Sequence, residues 1–313
     1  MTQKGRFDCH GLTDVGRQRE VNQDQFLIAD LSRTVRVHQT SLSLDDHTRL
    51  FGATEGMVLL VADGVGGAAG GEQASALAVG VVTNYMLRTM HWFLHLDRDD
   101  EEDDFVDELS RMMELCHEWV EYEGERVPAL RGMGTTLTIA YVLWPRLYVV
   151  HVGDSRCYLL RDGQLKQFTR DHTVAQQLAD DGVDVNLDTS RWSHVLWNVV
   201  GGSSDEALRP EVHKATLAEG DTLLLCSDGL TKHVPDEVIA GVLQVPSFAE
   251  AACRDLVQAA NDGGGTDNIT AVVGRFLPSE VAIDVENAAA ESPAVASEES
   301  AAKSLAPAPA PAD

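Results

Sequence analysis

The sequence predicts a mixed α+β fold. Short β-branched runs alternate with segments whose apolar residues recur three or four positions apart, the spacings of strands and of amphipathic helices. Two pairs of predicted strands are joined by very short turns, WPR at 144–146 and RDGQ at 161–164. Such turns make antiparallel hairpins, whereas a doubly wound parallel sheet needs a helix between neighbouring strands. We therefore expect helices and antiparallel strands in mixed layers.

Each predicted strand is a run rich in Val, Ile, Leu or Thr, and the last three are bounded by turn residues. In chain order the predicted strands span residues 57–62, 136–143, 147–152, 157–161, 222–226 and 269–276. The predicted helices, several of which have apolar positions three or four apart, span residues 72–88, 105–122, 173–180, 236–242 and 248–261.

Two segments differ from the rest of the chain in composition. Residues 97–108 read DRDDEEDDFVDE, which predicts a solvated acidic loop between two helices, with a docking patch for a basic partner as the alternative. Residues 278–313 are rich in Ala, Pro, Ser and Glu, and a segment of this kind buries too little apolar surface to offset its ordering entropy. We expect a folded domain over residues 1–277 and a disordered tail over 278–313.

The overall charge excludes one class of partner. The 313 residues include 24 Lys and Arg against 50 Asp and Glu, a formal net charge of −26, so there is little basic surface for a phosphate backbone. Hydrophobic residues make up 44% of the chain, enough for a sizeable core. No apolar stretch approaches the roughly 18 residues of a membrane span, and the N-terminus lacks an apolar signal core. Five cysteines without a CxxC pair favour a reduced, cytoplasmic compartment.

A recurring pattern places aspartates at strand ends. In three places an apolar strand runs into Asp beside Gly, and two further aspartates lie in comparable settings: Asp63, Asp154 and Asp228, then Asp24 and Asp267. A single Asp at a strand end is usually a turn residue or a helix N-cap. Five carboxylates at one end of a sheet repel each other unless cations lie among them. Ligation by oxygen alone selects Mg²⁺ or Mn²⁺, and the glycines let a carbonyl such as that of Gly64 approach the ion.

A pair of such ions makes one chemistry the natural expectation. Two divalent metals about 3.5–4 Å apart lower the pKa of a water between them and support in-line displacement at phosphorus, so we expect phosphate ester hydrolysis. This agrees with the lack of a protein nucleophile, because GDSR at 153–156 lacks the second Gly of a GxSxG elbow. The loop DGVGGAAGGE does not fit the GxGxxG of a dinucleotide site, and no GxxxxGK[ST] is present.

Seven short motifs then carry a family resemblance. In chain order they are TDVGRQREVNQD (13–24), ADGVGGAAGGEQAS (62–75), GMGTTLTIA (132–140), VGDSRCYLLRDG (152–163), TRDHT (169–173), GDTLLLCSDGLTKHV (220–234) and GTDNIT (265–270). Together they resemble the bacterial branch of the metal-dependent type-2C serine/threonine protein phosphatases, over nearly all of residues 5–277. The resemblance implies an αββα sandwich of two central antiparallel sheets flanked by helices, with a metal cleft at one end.

The resemblance also implies a role for each candidate metal ligand. Asp63 resembles the aspartate that bridges both metal ions, and Gly64 would offer its backbone carbonyl to one of them. Asp228 and Asp267 match further ligands of the pair. Asp154, together with Asp228, matches the position of a third ion in bacterial members.

Two further positions complete the implied site. Asp24 resembles an aspartate that acts largely through bound water, and Gln23 stands where many members have Glu. Arg19 aligns with the arginine that holds the substrate phosphate, and its fork geometry suits two phosphate oxygens at once.

Some positions depart from the family pattern. Val65 stands where some members have a histidine proposed to protonate the leaving group. The flap region, residues 173–201, is assigned by the resemblance to substrate selection, and within it Asn198 replaces a frequent arginine. His172 precedes the flap, and the sequence leaves open whether it transfers protons or only forms local hydrogen bonds.

The predicted function is hydrolysis of phosphoserine and phosphothreonine in proteins at a centre of two Mn²⁺ or Mg²⁺ ions, with a third position available. The expected partners are phosphorylated proteins, including a serine/threonine kinase and its substrates, with no nucleic acid and no membrane, in the cytoplasm. One alternative is a catalytically weak phosphatase-like binding protein, which retention of Asp63, Asp228 and Asp267 disfavours. Another is an enzyme that hydrolyses small phosphate esters.

Overall fold

Two antiparallel sheets form the centre of the computed structural model, which describes residues 6–36, 49–66, 70–89, 99–182, 192–202 and 207–277. The first sheet has the order β1-β12-β11-β7-β8. Its strands are β1 (Arg6–Asp14), β7 (Arg156–Arg161), β8 (Gln164–Gln167), β11 (Thr222–Cys226) and β12 (Ile269–Leu277).

The second sheet has the order β10-β6-β5-β3-β4-β9, and β2 also pairs with β3. Its strands are β2 (Asp24–Arg36), β3 (Arg49–Val65), β4 (Gly134–Thr135), β5 (Leu137–Leu143), β6 (Arg146–Val152), β9 (Val200–Gly201) and β10 (Glu211–Thr216). The helices are α1 (Gly70–Thr89), α2 (Asp99–Arg126), α3 (Val174–Asp180), α4 (Asp228–Thr231), α5 (Asp236–Gln244) and α6 (Ala249–Asp262), and a 3₁₀ turn spans Pro128–Leu130.

Three apolar clusters define the layers. Successive side chains of a strand point to opposite faces of its sheet. Along β3, Leu59 packs between the two sheets, whereas its neighbours Val58 and Leu60 pack against α1 and α2. A third cluster joins the other face of the first sheet to α5 and α6. The αββα sandwich expected from the motifs is therefore confirmed, because both sheets are covered by helices on their outer faces.

Both predicted hairpins are present. Leu143 pairs with Arg146 across the β5–β6 turn, and Arg161 pairs with Gln164 across the β7–β8 turn. The second turn needs positive φ at Asp162 (50°) and Gly163 (76°), a conformation that Asp and Gly tolerate better than most residues. The short connections enforce antiparallel pairing, as the sequence predicts.

The prediction of an acidic loop at 97–108 is wrong for its described part. Helix α2 begins at Asp99, so the acidic run forms its first turns. Phe105, Leu109 and Met112 bury one face of the helix against the second sheet. Carboxylates near a helix N-terminus interact favourably with the helix dipole, so the charge run does not oppose the helix. The apolar spacing within the run decides the structure.

Two further expectations concern the ends of the domain and its surroundings. The predicted disordered tail, residues 278–313, lies outside the described residues, and the last described residue is Leu277 at the end of β12. No helix within the described residues combines the length and apolarity that crossing a membrane requires. All five cysteines are free, and four of them are buried.

Candidate metal centre

The strand register brings the five predicted carboxylates to one end of the sandwich. Asp24, the first residue of β2, pairs with Asp63 near the end of β3. On the other sheet, Asp228 follows β11 and Asp267 precedes β12, and these two strands are antiparallel neighbours. Asp154 follows β6 after Gly153, whose φ is 111°. Each sheet therefore contributes carboxylates to the same end of the fold.

A cleft of about 480 Å³ opens at this end. Most of the predicted site residues line it, namely Arg19, Asp63, Gly64, Asp154, Asp228 and Asp267. Asp24 does not line the cleft; it is 2% exposed. An indirect role for Asp24 matches this placement, because a buried carboxylate next to a site acts on it through charge.

The backbone of Asp63 is held by the threonines of the GTT motif. Thr136 donates its backbone N–H to the Asp63 carbonyl at 2.8 Å, and Asp63 N–H donates to Thr136 Oγ1 at 3.0 Å. Thr135 Oγ1 also donates to the Asp63 carbonyl at 2.9 Å. These contacts hold the backbone of Asp63 in place near the end of β3.

Gly64 is packed directly against the first turn of α1. A Cβ placed on Gly64 would lie 2.2 Å from the carbonyl oxygen of Gly71, closer than real Cβ contacts. The two backbones can therefore approach only because neither residue has a side chain. The glycines of the motif bring the N-terminal turn of α1 against the cleft.

Asp24 is held from one side only. Its Oδ2 accepts hydrogen bonds from Ser227 Oγ and Thr270 Oγ1, each at 2.7 Å. Its Oδ1 is buried and has no hydrogen-bond partner among the described residues. A buried carboxylate oxygen without a donor is costly, so this oxygen is suited to a cation or to water bound to one.

Cations of the protein contact the two carboxylates of the first sheet. Lys232 Nζ lies 2.5 Å from Asp228 Oδ2 and 2.8 Å from Asp267 Oδ2. Arg19 contacts the same Asp267 carboxylate through Nε and Nη2, both at 2.9 Å. Within the described ranges, no three acidic, His or Cys side chains converge into a ready coordination shell. A metal ion at Asp228 and Asp267 must displace the Lys232 and Arg19 side chains or bind against their positive charge.

Burial and neighbouring negative charges make the ionised forms of Asp24, Asp63 and Asp154 unfavourable. Burial raises the pKa of Asp24 to about 6 and that of Asp154 to about 8, with Asp228 adding to both shifts. Burial and the charges of Asp24, Asp228, Asp154 and Asp267 raise the pKa of Asp63 well above its ordinary value. For Asp267, burial acts in the same direction but is outweighed by Lys232 and Arg19, so its pKa is lowered.

This arrangement fits hard divalent cations. Most donors that line the cleft are oxygens, from carboxylates, the Gly64 backbone and glutamine amides; His194 is the one imidazole among the described lining residues, and no cysteine lines the cleft. Oxygen donors suit Mg²⁺ and Mn²⁺, and a cation would offset the burial and the like charges that raise the pKa values of Asp24, Asp63 and Asp154. Asp63, Asp154, Asp228, Asp267 and the Gly64 carbonyl are placed to hold such ions.

The pKa shifts predict how the thermal stability of the protein in excess chelator depends on pH. We expect its melting temperature to rise as the pH falls from about 8 to about 6.5. In this window the folded chain binds more protons than the unfolded chain, because the pKa values of Asp154 and Asp63 are raised on folding. Below 6.5, buried His151 and His172, whose pKa values are lowered by burial, act in the opposite direction.

Thermal unfolding in excess chelator across this pH range tests the expectation, and saturating Mn²⁺ is the control. Protons and metal ions compete for the same carboxylates, so bound Mn²⁺ should abolish or reverse the trend. A melting temperature that increased with pH in chelator would contradict the assigned electrostatics.

His172 lies behind the cleft, where it connects the Asp154 loop to the flap. Its Nδ1 accepts from Gly153 N–H at 3.1 Å and lies 2.9 Å from Asn198 Nδ2. Its Nε2 faces Glu211 Oε1 at 3.3 Å. His172 is fully buried and does not line the cleft. The structure therefore favours the local hydrogen-bonding role over direct proton transfer.

Asn198 is also part of this connection. Its side chain donates to the Arg209 carbonyl at 2.7 Å and accepts from Arg209 N–H at 3.2 Å. At this position the flap is therefore anchored to the chain leading into β10. Val65, the other departure from the family pattern, lines the cleft and is 41% exposed.

Several residues of the site were not singled out from the sequence. Lys232 contacts two carboxylates, Asn268 Oδ1 accepts from Gln23 N–H at 2.8 Å, and Ser227 and Thr270 hold Asp24. The spacing of Lys232 from Asp228, four residues across a helix start, was an available signal. The other contacts join residues about 200 or more positions apart, which no local pattern indicates.

Comparisons with known proteins agree with this architecture. The sandwich with an acidic cleft at one end defines the class of fold that the motifs imply. The chain belongs to the protein phosphatase 2C family, whose model matches residues 36–270.

Two relatives that are named as serine/threonine phosphatases match the chain at moderate identity. The serine/threonine protein phosphatase PstP of Mycobacterium tuberculosis is 38% identical over 216 residues, which are 69% of this chain and 40% of the relative. The serine/threonine phosphatase stp of Listeria monocytogenes serotype 4b is 30% identical over 218 residues, 69% of this chain and 83% of the relative. The match thus covers less than half of the length of the mycobacterial relative.

A solved structure resembles the fold over most of the chain. The catalytic domain of PstP in complex with two manganese ions has a TM-score of 0.65 and 32% sequence identity, covering 87% of this chain and 99% of that one.

Proposed function

We propose that this protein hydrolyses phosphoserine and phosphothreonine in other proteins, using two Mn²⁺ or Mg²⁺ ions held in the carboxylate cleft. The observation that carries the proposal is the convergence of Asp63, Asp154, Asp228 and Asp267 in one cleft with Arg19, in a chain of the protein phosphatase 2C family. The names of the mycobacterial and listerial relatives support the same substrate class.

Different residues would have different roles in the proposed reaction. The bound ions would supply an activated water and offset charge developing on the phosphoryl group. Asp63, Asp228 and Asp267 would hold the ions, and the buried charge of Asp24 would contribute to the electrostatic field at the site. Two such ions are present in the PstP structure, which supports this stoichiometry.

Arg19 is placed to orient the substrate. Its side chain is 51% exposed and lines the cleft, so the guanidinium can leave Asp267 and reach an incoming phosphate. Two parallel N–H donors match two phosphate oxygens, which fixes the phosphoryl group relative to the ions. The leaving group needs a proton from a source other than residue 65, because Val65 has no titratable group.

The proposal extends to partners and compartment. Phosphorylated proteins, including a serine/threonine kinase and its substrates, are the proposed partners, because a phosphatase of this class opposes a kinase. The five free cysteines are compatible with a reducing cytoplasm. The position of Asp154 beside Asp228 in the cleft supports a third metal position.

Phosphate release from a phosphothreonine peptide tests the proposal. We expect hydrolysis in Mn²⁺ and its loss in excess chelator, because the carboxylates have no other divalent cation to hold the phosphoryl group in line. An artificial aryl phosphate run in parallel separates failure to recognise a peptide from failure of the chemistry. If neither substrate were hydrolysed in Mn²⁺, the enzyme proposal would be wrong. The alternative of a phosphatase-like binding protein would then be favoured.

A further inference from the structure

The five carboxylates fall into two groups according to their contacts with protein cations. Asp228 and Asp267 contact Lys232, and Asp267 also contacts Arg19. In the part of the chain that the structure describes, no Lys or Arg forms an ion pair with Asp24, Asp63 or Asp154. The proposed metal ligands of the first sheet thus contact a protein cation directly, whereas in the second sheet Lys232 acts on Asp154 through its charge without forming an ion pair.

The single turn of α4 positions Lys232, which caps the C-terminal end of this helix. Its backbone N–H donates to the Asp228 carbonyl at 2.8 Å, which places it one helical turn beyond that aspartate. Its side chain is only 23% exposed and lines the cleft. Arg19, by contrast, is 51% exposed and can leave Asp267 for solvent or substrate. The ammonium of Lys232 is therefore a resident charge among the metal ligands.

A divalent ion and this ammonium share the same two carboxylates, although Asp228 Oδ1 is buried and has no hydrogen-bond partner among the described residues. Lys232 Nζ lies within hydrogen-bond distance of Asp228 Oδ2 and Asp267 Oδ2. Close approach of an ammonium and a divalent cation at one carboxylate pair is opposed by their like charges. Metal binding must therefore displace the ammonium or proceed against its field, and either route lowers the affinity.

We infer that Lys232 is a built-in competitor that stabilises the metal-free protein and weakens divalent metal binding at Asp228 and Asp267. The inference rests on the proposed metal centre and adds a residue that regulates its loading. It predicts effects of opposite sign from one substitution. Removing the ammonium should tighten metal binding and should destabilise the protein when metal is absent.

Lys232→Met is the test variant, because Met keeps an unbranched apolar stem and removes the charge. Calorimetric titration of the chelator-treated, desalted full chain with Mn²⁺ should show binding about tenfold tighter than in the wild type. The metal-free variant should melt about 2–4 °C lower, since its carboxylates lose their cation. Lys232→Arg keeps the charge and should bind Mn²⁺ more weakly than Lys232→Met.

Lys166→Met is the matched control. Lys166 is exposed on β8, and its Nζ lies over the Phe168 ring at 5.2 Å, away from the cleft. The same change in net charge there should leave the Mn²⁺ affinity unchanged. A general electrostatic effect of removing one lysine is thereby separated from an effect at the site.

The outcomes distinguish this inference from the proposed function. Mn²⁺ binding by the wild type with unchanged or weaker affinity in Lys232→Met would overturn the competitor role and leave the metal centre standing. Equal effects of Lys232→Met and Lys166→Met would also overturn it. If neither the wild type nor the variant bound Mn²⁺, the metal centre and this inference would fail together.

Discussion

Asp63→Asn is expected to reduce kcat/KM for a phosphothreonine peptide by at least about 100-fold at saturating Mn²⁺. Asp63 lines the cleft. The negative charges of the other four carboxylates of the site all raise its pKa, and three of those carboxylates line the same cleft. The amide keeps the shape of the side chain but removes one charge that would bridge the ions. Steady-state phosphate release measures the effect.

The same variant should gain stability in chelator. Burial and like charge make the ionised Asp63 unfavourable in the metal-free fold, so a neutral amide removes that penalty. A higher melting temperature together with lost activity would show that the residue serves the reaction and not the fold. Asp30→Asn, at an exposed position of β2, is the control and should change neither quantity. Wild-type turnover by Asp63→Asn would contradict the assigned role.

Gly64→Ala is expected to lower the free energy of unfolding by about 1–3 kcal/mol or more and to abolish activity. The added methyl group would lie 2.2 Å from the Gly71 carbonyl oxygen and 2.4 Å from its carbon. Both partners are backbone atoms, so the end of β3 and the first turn of α1 must separate. That movement displaces the Gly64 carbonyl and the adjacent Asp63.

Gly80→Ala provides the contrasting control. Gly80 lies within α1, and a Cβ placed there has no neighbour within 4 Å. Replacing glycine by alanine at such a helical position should stabilise the protein by about 0.4–1 kcal/mol. Urea unfolding measures both variants. Equal stability of Gly64→Ala and the wild type would contradict the close packing of the glycine loop on α1.

The central strands were predictable because their side chains obey simple periods, whereas the order of the layers followed from the family resemblance. The β11 prediction, residues 222–226, matches the observed strand, since a fully buried apolar run between turn residues leaves few alternatives. Strands at or near sheet edges were missed. β10 (Glu211–Thr216) and β8 (Gln164–Gln167) carry polar residues on exposed faces and therefore lack a strong apolar signal.

The extent of α2 shows how one local signal can mislead. The acidic run appeared loop-like because of its charge density, yet Phe105 and Leu109 within and beside it pack into the core. Burial of that apolar face outweighs charge repulsion that solvent screens. The helix therefore begins at Asp99 and not after the run.

The sequence by itself determined which aspartates lie beside apolar strands and are therefore candidate metal ligands. An aspartate next to an apolar run lies at or near the end of a strand, because the run itself marks the buried strand. Hence Asp24, Asp63, Asp154, Asp228 and Asp267 could be named without coordinates.

Only the tertiary structure decided how those aspartates differ from one another. Pairing of β2 with β3 sets Asp24 opposite Asp63, and burial removes Asp24 from the cleft surface. The single turn of α4 brings Lys232, at its C-terminal end, back toward Asp228 and Asp267. Register, burial and helix orientation depend on contacts between residues far apart in the chain. The pKa shift of each carboxylate and its contacts with protein cations are therefore decided only when the two sheets pack together.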